Sequence, residues 1–208
     1  MIGYWNYTVY LTYFGLCTAV FGIIKAAQGD PYIALLCLMI SGVCDMFDGT
    51  IARTCKTRSE DAKNYGIQLD SLCDTVCFGV LPATIGYCLC GDKVWAIVCE
   101  LLFVLAAIIR LGYFNVQEMN RIQNEGGKRH SYTGLPVTAS AIIFPLYCLV
   151  SVFLPFNIIP YYPIMLIVTA LLFLMKVEVK KPYMRGMILL GTLGACIFVL
   201  FIVFGGRL

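Results

Sequence analysis

Long apolar runs separated by short polar breaks dominate the chain. Each run is long enough to cross a hydrocarbon layer of about 30 Å at about 1.5 Å per helical residue. The breaks carry glycine, proline and charged residues, which end helices. The pattern predicts an all-α, polytopic transmembrane helix bundle in a single domain, with about seven spans and six to eight possible. The predicted spans are 8–27, 31–53, 64–89, 93–116, 134–154, 158–176 and 186–204.

The composition agrees with a membrane protein. Of the 208 residues, 60% are hydrophobic and 13% are charged, whereas a soluble domain carries about 25% charged residues. The eleven cysteines lie mostly inside apolar runs, where cysteine acts as a small hydrophobic residue. His130 is the single histidine, and Cys88 and Cys90 have no second cysteine pair near them. A tetrahedral zinc site is therefore not expected.

The basic residues indicate the orientation in the membrane. Eleven of the fifteen lysines and arginines fall in the loops 53–63, 117–133 and 176–185, which alternate onto one side of the predicted bundle. Cytoplasmic loops carry an excess of lysine and arginine. We therefore expect an integral protein of the cell membrane with these loops and the N-terminus in the cytoplasm.

Four aspartates lie in two consecutive predicted spans, towards the basic side. Asp45 and Asp48 are three residues apart near the end of the second span. Asp70 and Asp74 are one helical turn apart near the start of the third span, and Gly66 precedes them on the same stripe. Since the two spans are antiparallel and joined by a short loop, both acidic pairs reach a similar depth and can face each other.

A divalent metal ion would offset the cost of these four aspartates. One aspartate at the centre of a span costs about 2.5–3.5 kcal/mol on insertion scales, and converging carboxylates also repel one another. Carboxylate ligands favour hard cations, so we expect Mg²⁺ or Mn²⁺, with Ca²⁺ as an alternative. Four carboxylates suit two ions, an arrangement used for displacement at phosphorus. The competing interpretation, helix-end acids that reach water, suits one such residue better than four.

Small residues and an arginine accompany the aspartates in the pattern Asp45-x-x-Asp48-Gly49-x-x-Ala52-Arg53, then Gly66-x-x-x-Asp70-x-x-x-Asp74. This pattern resembles the signature of the CDP-alcohol phosphatidyltransferases. The spacing between the arginine and the second glycine, residues 54–65, is longer here than is usual in that family. The extra residues fall in a polar loop, where added length changes the closure entropy little.

The resemblance implies a transfer reaction with defined roles for these residues. An acceptor hydroxyl attacks the β-phosphate of a CDP-linked lipid, and CMP leaves. Asp74 would be the general base as well as a metal ligand. The implied metal ligands are Asp45, Asp48, Asp70 and Asp74, and the implied CDP-lipid-binding residues are Gly49, Ala52, Arg53 and Gly66.

Further segments resemble one branch of the family, the phosphatidylserine synthases. These segments are 65–74, 78–83, 110–115 and 134–136, which lie in the third, fourth and fifth predicted spans. The branch implies CDP-diacylglycerol as the donor and L-serine as the acceptor. The other expected partners are membrane lipids and a second copy of the chain, which would form a homodimer. No nucleic acid partner is expected.

Arg110 is the strongest acceptor-binding candidate. It lies inside the fourth predicted span, where an arginine needs an anion nearby. A guanidinium can hold a carboxylate through two parallel hydrogen bonds, so the serine carboxylate is one possible partner. A structural pair with one of the four aspartates is the other. Ser71 and Asn115 complete the predicted acceptor-binding residues.

The sequence is compatible with two other functions. A sibling enzyme that uses glycerol phosphate or inositol phosphate would need at least two basic residues near the site, and the spans offer one strong candidate, Arg110. A divalent cation transporter, the alternative of another class, would need acids along the whole path. The outer half of the predicted spans carries only Glu100, which disfavours a transporter.

Overall fold

Helices dominate the structure, a computed structural model that describes residues 3, 7–54, 59–124, 131–176, 178–180 and 184–207. Within these ranges the α-helices are α1 (Tyr10–Ala27), α2 (Pro31–Thr54), α3 (Glu60–Asp74), α4 (Leu81–Cys90), α5 (Val94–Asn124), α6 (Ser140–Phe153), α7 (Tyr162–Leu174) and α8 (Met184–Phe204). A π-helical segment, Thr75–Val80, joins α3 to α4. Short 3-10 turns are Tyr7–Val9, Val137–Ala139, Ile159–Tyr161 and Gly205–Arg207, and two short strands are β1 (Ser131–Thr133) and β2 (Glu178–Lys180).

The prediction of an all-α, polytopic bundle is confirmed. Four helical stretches among the described residues are long and apolar enough to cross a membrane: Tyr10–Ala27, Pro31–Ile51, Glu60–Cys90 and Val94–Asn120. Three shorter apolar stretches follow: Val137–Phe153, Ile159–Leu174 and Gly194–Phe204. These seven stretches have the order of the seven predicted spans.

Several predicted boundaries were wrong. Helix α3 begins at Glu60, before the predicted span, because the Ser59 hydroxyl accepts a hydrogen bond from the Ala62 amide at 3.2 Å and caps it. Helix α5 continues to Asn124, well past the apolar run. Residues 134–136 are not helical, because Gly134 has a φ of +79°, which a right-handed helix cannot accommodate.

Helix α1 packs closely on α2 and α4 through small residues. Its buried positions are Gly15, Ala19, Gly22 and Ala26. A Cβ atom at Gly22 would lie 2.7 Å from Cβ of Cys37 in α2, so no larger residue fits there without a shift. Small residues that let helix backbones approach are a common basis of association in membranes. The first helix is therefore held directly against the helix that carries Asp45 and Asp48.

The far side of the bundle has an aromatic core between α5, α6 and α7. The ring of Phe103 lies edge-on to Phe144, with centroids 5.5 Å apart, and 5.7 Å from the ring of Phe173. Tyr162 is fully buried beside Phe144. Large exposed apolar side chains such as Leu101 cover the outside of α5, as expected for a helix surrounded by lipid.

A short antiparallel ribbon ties together two of the loops that contain most of the basic residues. Strand β1 pairs with β2, with Ser131 opposite Lys180. Near the third such loop, Nε2 of Gln68 in α3 lies 3.8 Å from the Met119 sulfur in the last turns of α5. The described ends of the three loops therefore lie towards one end of the bundle, as their alternation along the sequence predicts.

Candidate active site

Carboxylates from α2 and α3 converge between the two helices. Asp45, Asp70 and Asp74 each place one carboxylate oxygen within 4.8 Å of the others. Asp48, one turn from Asp45, is 8% exposed, and its carboxyl group lies within hydrogen-bonding distance of that of Asp70. The structure thus brings the two predicted acidic pairs face to face.

The helix geometry changes immediately after Asp74. The segment Thr75–Val80 is π-helical, a conformation that is rare and often found at functional sites. Pro82 follows in the first turn of α4, and it has no N–H to donate to a carbonyl one turn earlier. The missing hydrogen bond favours the wider π turn, which buries Cys77 and Phe78 beside the acidic site.

Helix α1 contributes site residues that sequence reasoning missed. The Thr12 hydroxyl donates a hydrogen bond to Oδ2 of Asp48 at 3.0 Å, and the hydroxyl oxygens of Tyr13 and Tyr65 lie 3.4 Å apart. The sequence signal that could have identified Thr12 and Tyr13 is that they are polar residues inside an apolar run. The residues lining the pocket at the acidic site are Thr12, Gly15, Ser41, Cys44, Asp45, Asp48, Cys73, Asp74, Cys77 and Phe78.

The predicted CDP-lipid-binding residues lie along the same two helices. Gly49 follows Asp48 in α2, and Gly66 lies one turn before Asp70 in α3; both are half-buried. Ala52 and Arg53 belong to the last turn of α2, but their side chains lie outside the described part of the chain. The binding roles of all four residues stay predictions.

Ser71 and Asn115, two of the predicted acceptor-binding residues, meet in the structure. The Ser71 hydroxyl donates to Oδ1 of Asn115 at 2.7 Å, and Nδ2 of Asn115 donates to Oε1 of Gln68 at 3.4 Å. This polar ladder joins α3 to α5 at the residue that follows Asp70 in the chain. The residues that line the pocket at the acidic site do not include Ser71 or Asn115, and their role in binding the acceptor stays a prediction.

Arg110 points away from this ladder. Its position is about 140° around α5 from Asn115 at about 100° per residue, and it is 6% exposed. Its Nε donates to the Leu135 carbonyl at 3.2 Å, and the Leu135 amide donates to the Leu172 carbonyl at 3.4 Å. Arg110 therefore helps to hold the turn between β1 and α6 against α7, a contact that neither of the two predicted roles included.

The donor atoms fit a hard divalent cation. Carboxylate oxygens are the ligands that Mg²⁺, Mn²⁺ and Ca²⁺ prefer. The pocket is also lined by three thiols, Cys44, Cys73 and Cys77, which would favour a softer ion. Among the described residues, however, the group of three or more ligands within 4.8 Å is the carboxylate set Asp45, Asp70 and Asp74.

Comparison with known proteins assigns the family. The family model described as CDP-alcohol phosphatidyltransferase matches residues 5–175. This match includes α1 to α7 and therefore every residue of the acidic site. The chain belongs to the CDP-alcohol phosphatidyltransferase family, and the resemblance inferred from the spacing of the aspartates is confirmed.

Several similar curated proteins have names that refer to serine. It is 34% identical to archaetidylserine synthase of Methanothermobacter thermautotrophicus over 121 residues, which cover 58% of this chain and 48% of that protein. It is 32% identical to a CDP-diacylglycerol–serine O-phosphatidyltransferase of Helicobacter pylori over 126 residues, 60% of this chain and 49% of that one. The enzyme of that name in Saccharomyces cerevisiae is 33% identical over 114 residues, which cover 53% of this chain and 40% of that protein. The chain thus spans about half the length of the curated relatives it matches, and the predicted resemblance to phosphatidylserine synthases is confirmed.

Proposed function

We propose that the protein is a metal-dependent phosphatidyltransferase that transfers the phosphatidyl group of CDP-diacylglycerol to the hydroxyl of L-serine, giving phosphatidylserine and CMP. The observation that carries this proposal is the convergence of Asp45, Asp70 and Asp74 within 4.8 Å inside the family signature. Family membership supports the CDP-linked donor. The relatives named as serine phosphatidyltransferases support the acceptor.

The carboxylates divide the chemical work between metal binding and proton transfer. The proposed ligands of Mg²⁺ or Mn²⁺, as two ions, are Asp45, Asp48, Asp70 and Asp74. When bound, the metal stabilises negative charge on the phosphoryl oxygens. The Asp74 carboxylate accepts the proton of the serine hydroxyl as its oxygen attacks the β-phosphate. The bond from the β-phosphorus to the oxygen shared with CMP breaks, and CMP leaves.

The donor would lie along the end of α2 and the middle of α3. Gly49 and Gly66 have no side chain, and Ala52 has a short one, so the helix surface between them leaves room for the cytidine. Arg53, one turn after Gly49 in the sequence, would neutralise the pyrophosphate charge. The acyl chains would then extend into the surrounding bilayer.

The acceptor would approach from the α5 side of the site. Ser71 follows Asp70 in α3 and donates to Asn115 in α5, and this pair would offer a hydroxyl and an amide to a polar headgroup. Arg110, the buried cation of the described residues, is the proposed partner of the serine carboxylate, which it would contact from a different face of α5 than the pair of Ser71 and Asn115. One such cation fits a carboxylate acceptor better than a phosphorylated alcohol, whose greater charge calls for more than one.

An acceptor screen tests the proposed reaction. Purified protein with CDP-diacylglycerol and Mg²⁺ or Mn²⁺ is expected to release CMP when L-serine is added, and far more slowly with serinol, ethanolamine, glycerol phosphate or inositol phosphate. The two amines lack the carboxylate that Arg110 would bind. Release with a phosphorylated alcohol but not with serine would indicate a sibling enzyme. Divalent ion uptake into vesicles without CMP release would indicate a transporter.

Replacement of Arg110 tests its role in acceptor binding. Arg110→Lys is expected to raise the serine KM about ten- to a hundredfold, since a hydrogen bond to a charged group contributes about 1.5–3 kcal/mol. Lysine keeps the charge but loses the planar fork of donors. The CDP-diacylglycerol KM should change little, and the preference for serine over serinol should weaken.

The contact of Arg110 with the Leu135 carbonyl is the basis of the alternative, a purely structural role, which predicts a different result. If Arg110 acts only by holding that turn, Arg110→Lys will lower the unfolding temperature or raise both KM values while the preference for serine over serinol is kept. Lys25→Arg is the matched control, because Lys25 lies near the opposite end of the bundle, in the last turn of α1. That variant should match the parent in both KM values.

We also propose that the acidic site faces the cytoplasm and that the N-terminus is cytoplasmic. Support comes from the loops that contain most of the basic residues, whose described ends lie towards one end of the bundle. Cysteine labelling at each end of the chain in intact cells would test this orientation. The homodimer stays a prediction that rests on the family resemblance.

A further inference from the structure

A hydroxyl group from outside the family signature contacts one of its aspartates. Thr12 lies in the first turn of α1, and its Oγ1 donates a hydrogen bond to Oδ2 of Asp48 at 3.0 Å. Thr12 also lines the same pocket as Asp45 and Asp74. Because Asp48 is only 8% exposed, water has little access to this carboxylate, and the threonine is one of its few donors.

The direction of this hydrogen bond is unusual for a threonine in a helix. A helical threonine commonly donates to a carbonyl in the preceding turn of its own helix. Thr18, two turns further along α1, does so, with Oγ1 2.9 Å from the Phe14 carbonyl. The Thr12 hydroxyl instead reaches across to α2. The two threonines of one helix thus provide a matched pair for experiment.

Close packing fixes the position of Thr12. The Ser41 hydroxyl in α2 donates to the Gly15 carbonyl at 2.9 Å. A Cβ atom at Gly15 would lie 3.2 Å from Cβ of Cys44, so the two backbones are already nearly as close as they can be. Thr12 is one turn before Gly15 on the same face. The position of its hydroxyl along the helix axis, beside Asp48, is therefore fixed.

We propose that Thr12 is a positioning residue that orients the Asp48 carboxylate for the divalent metal. With Oδ2 engaged by Thr12, rotation of the carboxylate about its Cβ–Cγ bond is restricted. Hydrogen bonds from neighbouring groups orient metal ligands, and their loss typically lowers metal affinity or activity about 10–100-fold. The inference rests on the proposed metal dependence and adds to it a residue of α1 that the signature does not contain.

Direct metal binding tests the inference without relying on turnover. The full-length protein is purified in detergent, stripped of metal and titrated with Mn²⁺, and free Mn²⁺ is followed by electron paramagnetic resonance without substrates. Thr12→Val removes the donor but keeps the shape, and is expected to raise the Mn²⁺ Kd about 10–100-fold. Thr12→Ser keeps the hydroxyl and should restore affinity. Thr18→Val, the control on the same helix, should bind Mn²⁺ like the parent.

The outcomes separate this inference from the proposed function. Parent-like Mn²⁺ affinity in Thr12→Val would overturn the role of Thr12 and leave the metal site intact. Weak binding in both Thr12→Val and Thr12→Ser, with a lower unfolding temperature in EDTA, would also overturn it, since the side-chain shape rather than the hydroxyl would then matter. If the parent itself bound no Mn²⁺, the metal dependence of the proposed function would fail as well.

Discussion

Asp74→Asn is expected to lower the rate of CMP release by at least about a hundredfold, the low end of what a positioned general base contributes. Asparagine keeps the shape of the side chain but cannot accept the proton of the attacking hydroxyl. It also removes a negative charge from the group in which Asp45, Asp70 and Asp74 lie within 4.8 Å. Turnover is measured as CMP release at saturating concentrations of both substrates.

Binding measurements and a surface control complete this test. Binding of CDP-diacylglycerol should survive better than turnover, because the donor contacts proposed along Gly49 and Gly66 are unchanged. Asp92→Asn replaces an exposed aspartate in the turn before α5 and should keep the parent rate. A near-normal rate for Asp74→Asn would refute its role as the base. An equally slow Asp92→Asn variant would show that the effect is not specific to the site.

Treatment with EDTA is expected to abolish CMP release, and added Mg²⁺ or Mn²⁺ to restore it. The reason is the set of ligand atoms: the half-buried carboxylates of Asp45, Asp70 and Asp74 converge. Carboxylates are not themselves Lewis acids, so the bound metal ion would supply that function. The measurement is the rate of CMP release against free metal concentration after EDTA treatment. Comparison of Mg²⁺, Mn²⁺ and Ca²⁺ at equal free concentration reports the ion preference of the site.

A control separates chelation from other effects of the reagent. EDTA saturated with Mg²⁺ beforehand should leave the rate unchanged, whereas free EDTA at the same concentration should remove it. Full activity after prolonged treatment with free EDTA would contradict the metal dependence. Loss of activity with the saturated reagent would point to an effect unrelated to the ion.

The features that the sequence alone predicted are those with a local or compositional cause. Apolar run length predicted the helices, because a span must satisfy its own backbone hydrogen bonds in lipid. The spacing of Asp70 and Asp74 placed them on one face of one helix. The short connection to the helix of Asp45 predicted that the acidic pairs would face each other. The agreement of these local rules explains why the family assignment could be made from one chain.

Boundaries and the π-helical segment were not predicted, although local signals for them exist. The cap at Ser59 and the left-handed Gly134 each depend on a single residue whose effect is weaker than that of a long apolar run. The π turn after Asp74 has a cue in Pro82. A proline near a helix start is also compatible with an ordinary α-helix, however, so the sequence left both geometries open.

Only the tertiary structure decided which side chains from distant helices meet at the site. The contacts of Thr12 with Asp48, of Ser71 with Asn115 and of Arg110 with the Leu135 carbonyl each join different parts of the fold. Such pairs depend on the rotation and depth of each helix, which close packing of small residues such as Gly15 and Gly22 sets. In a bundle whose helices are apolar on nearly every face, periodicity does not reveal the contact face. The four aspartates could therefore be predicted from the sequence, but the groups that hold them in place could not.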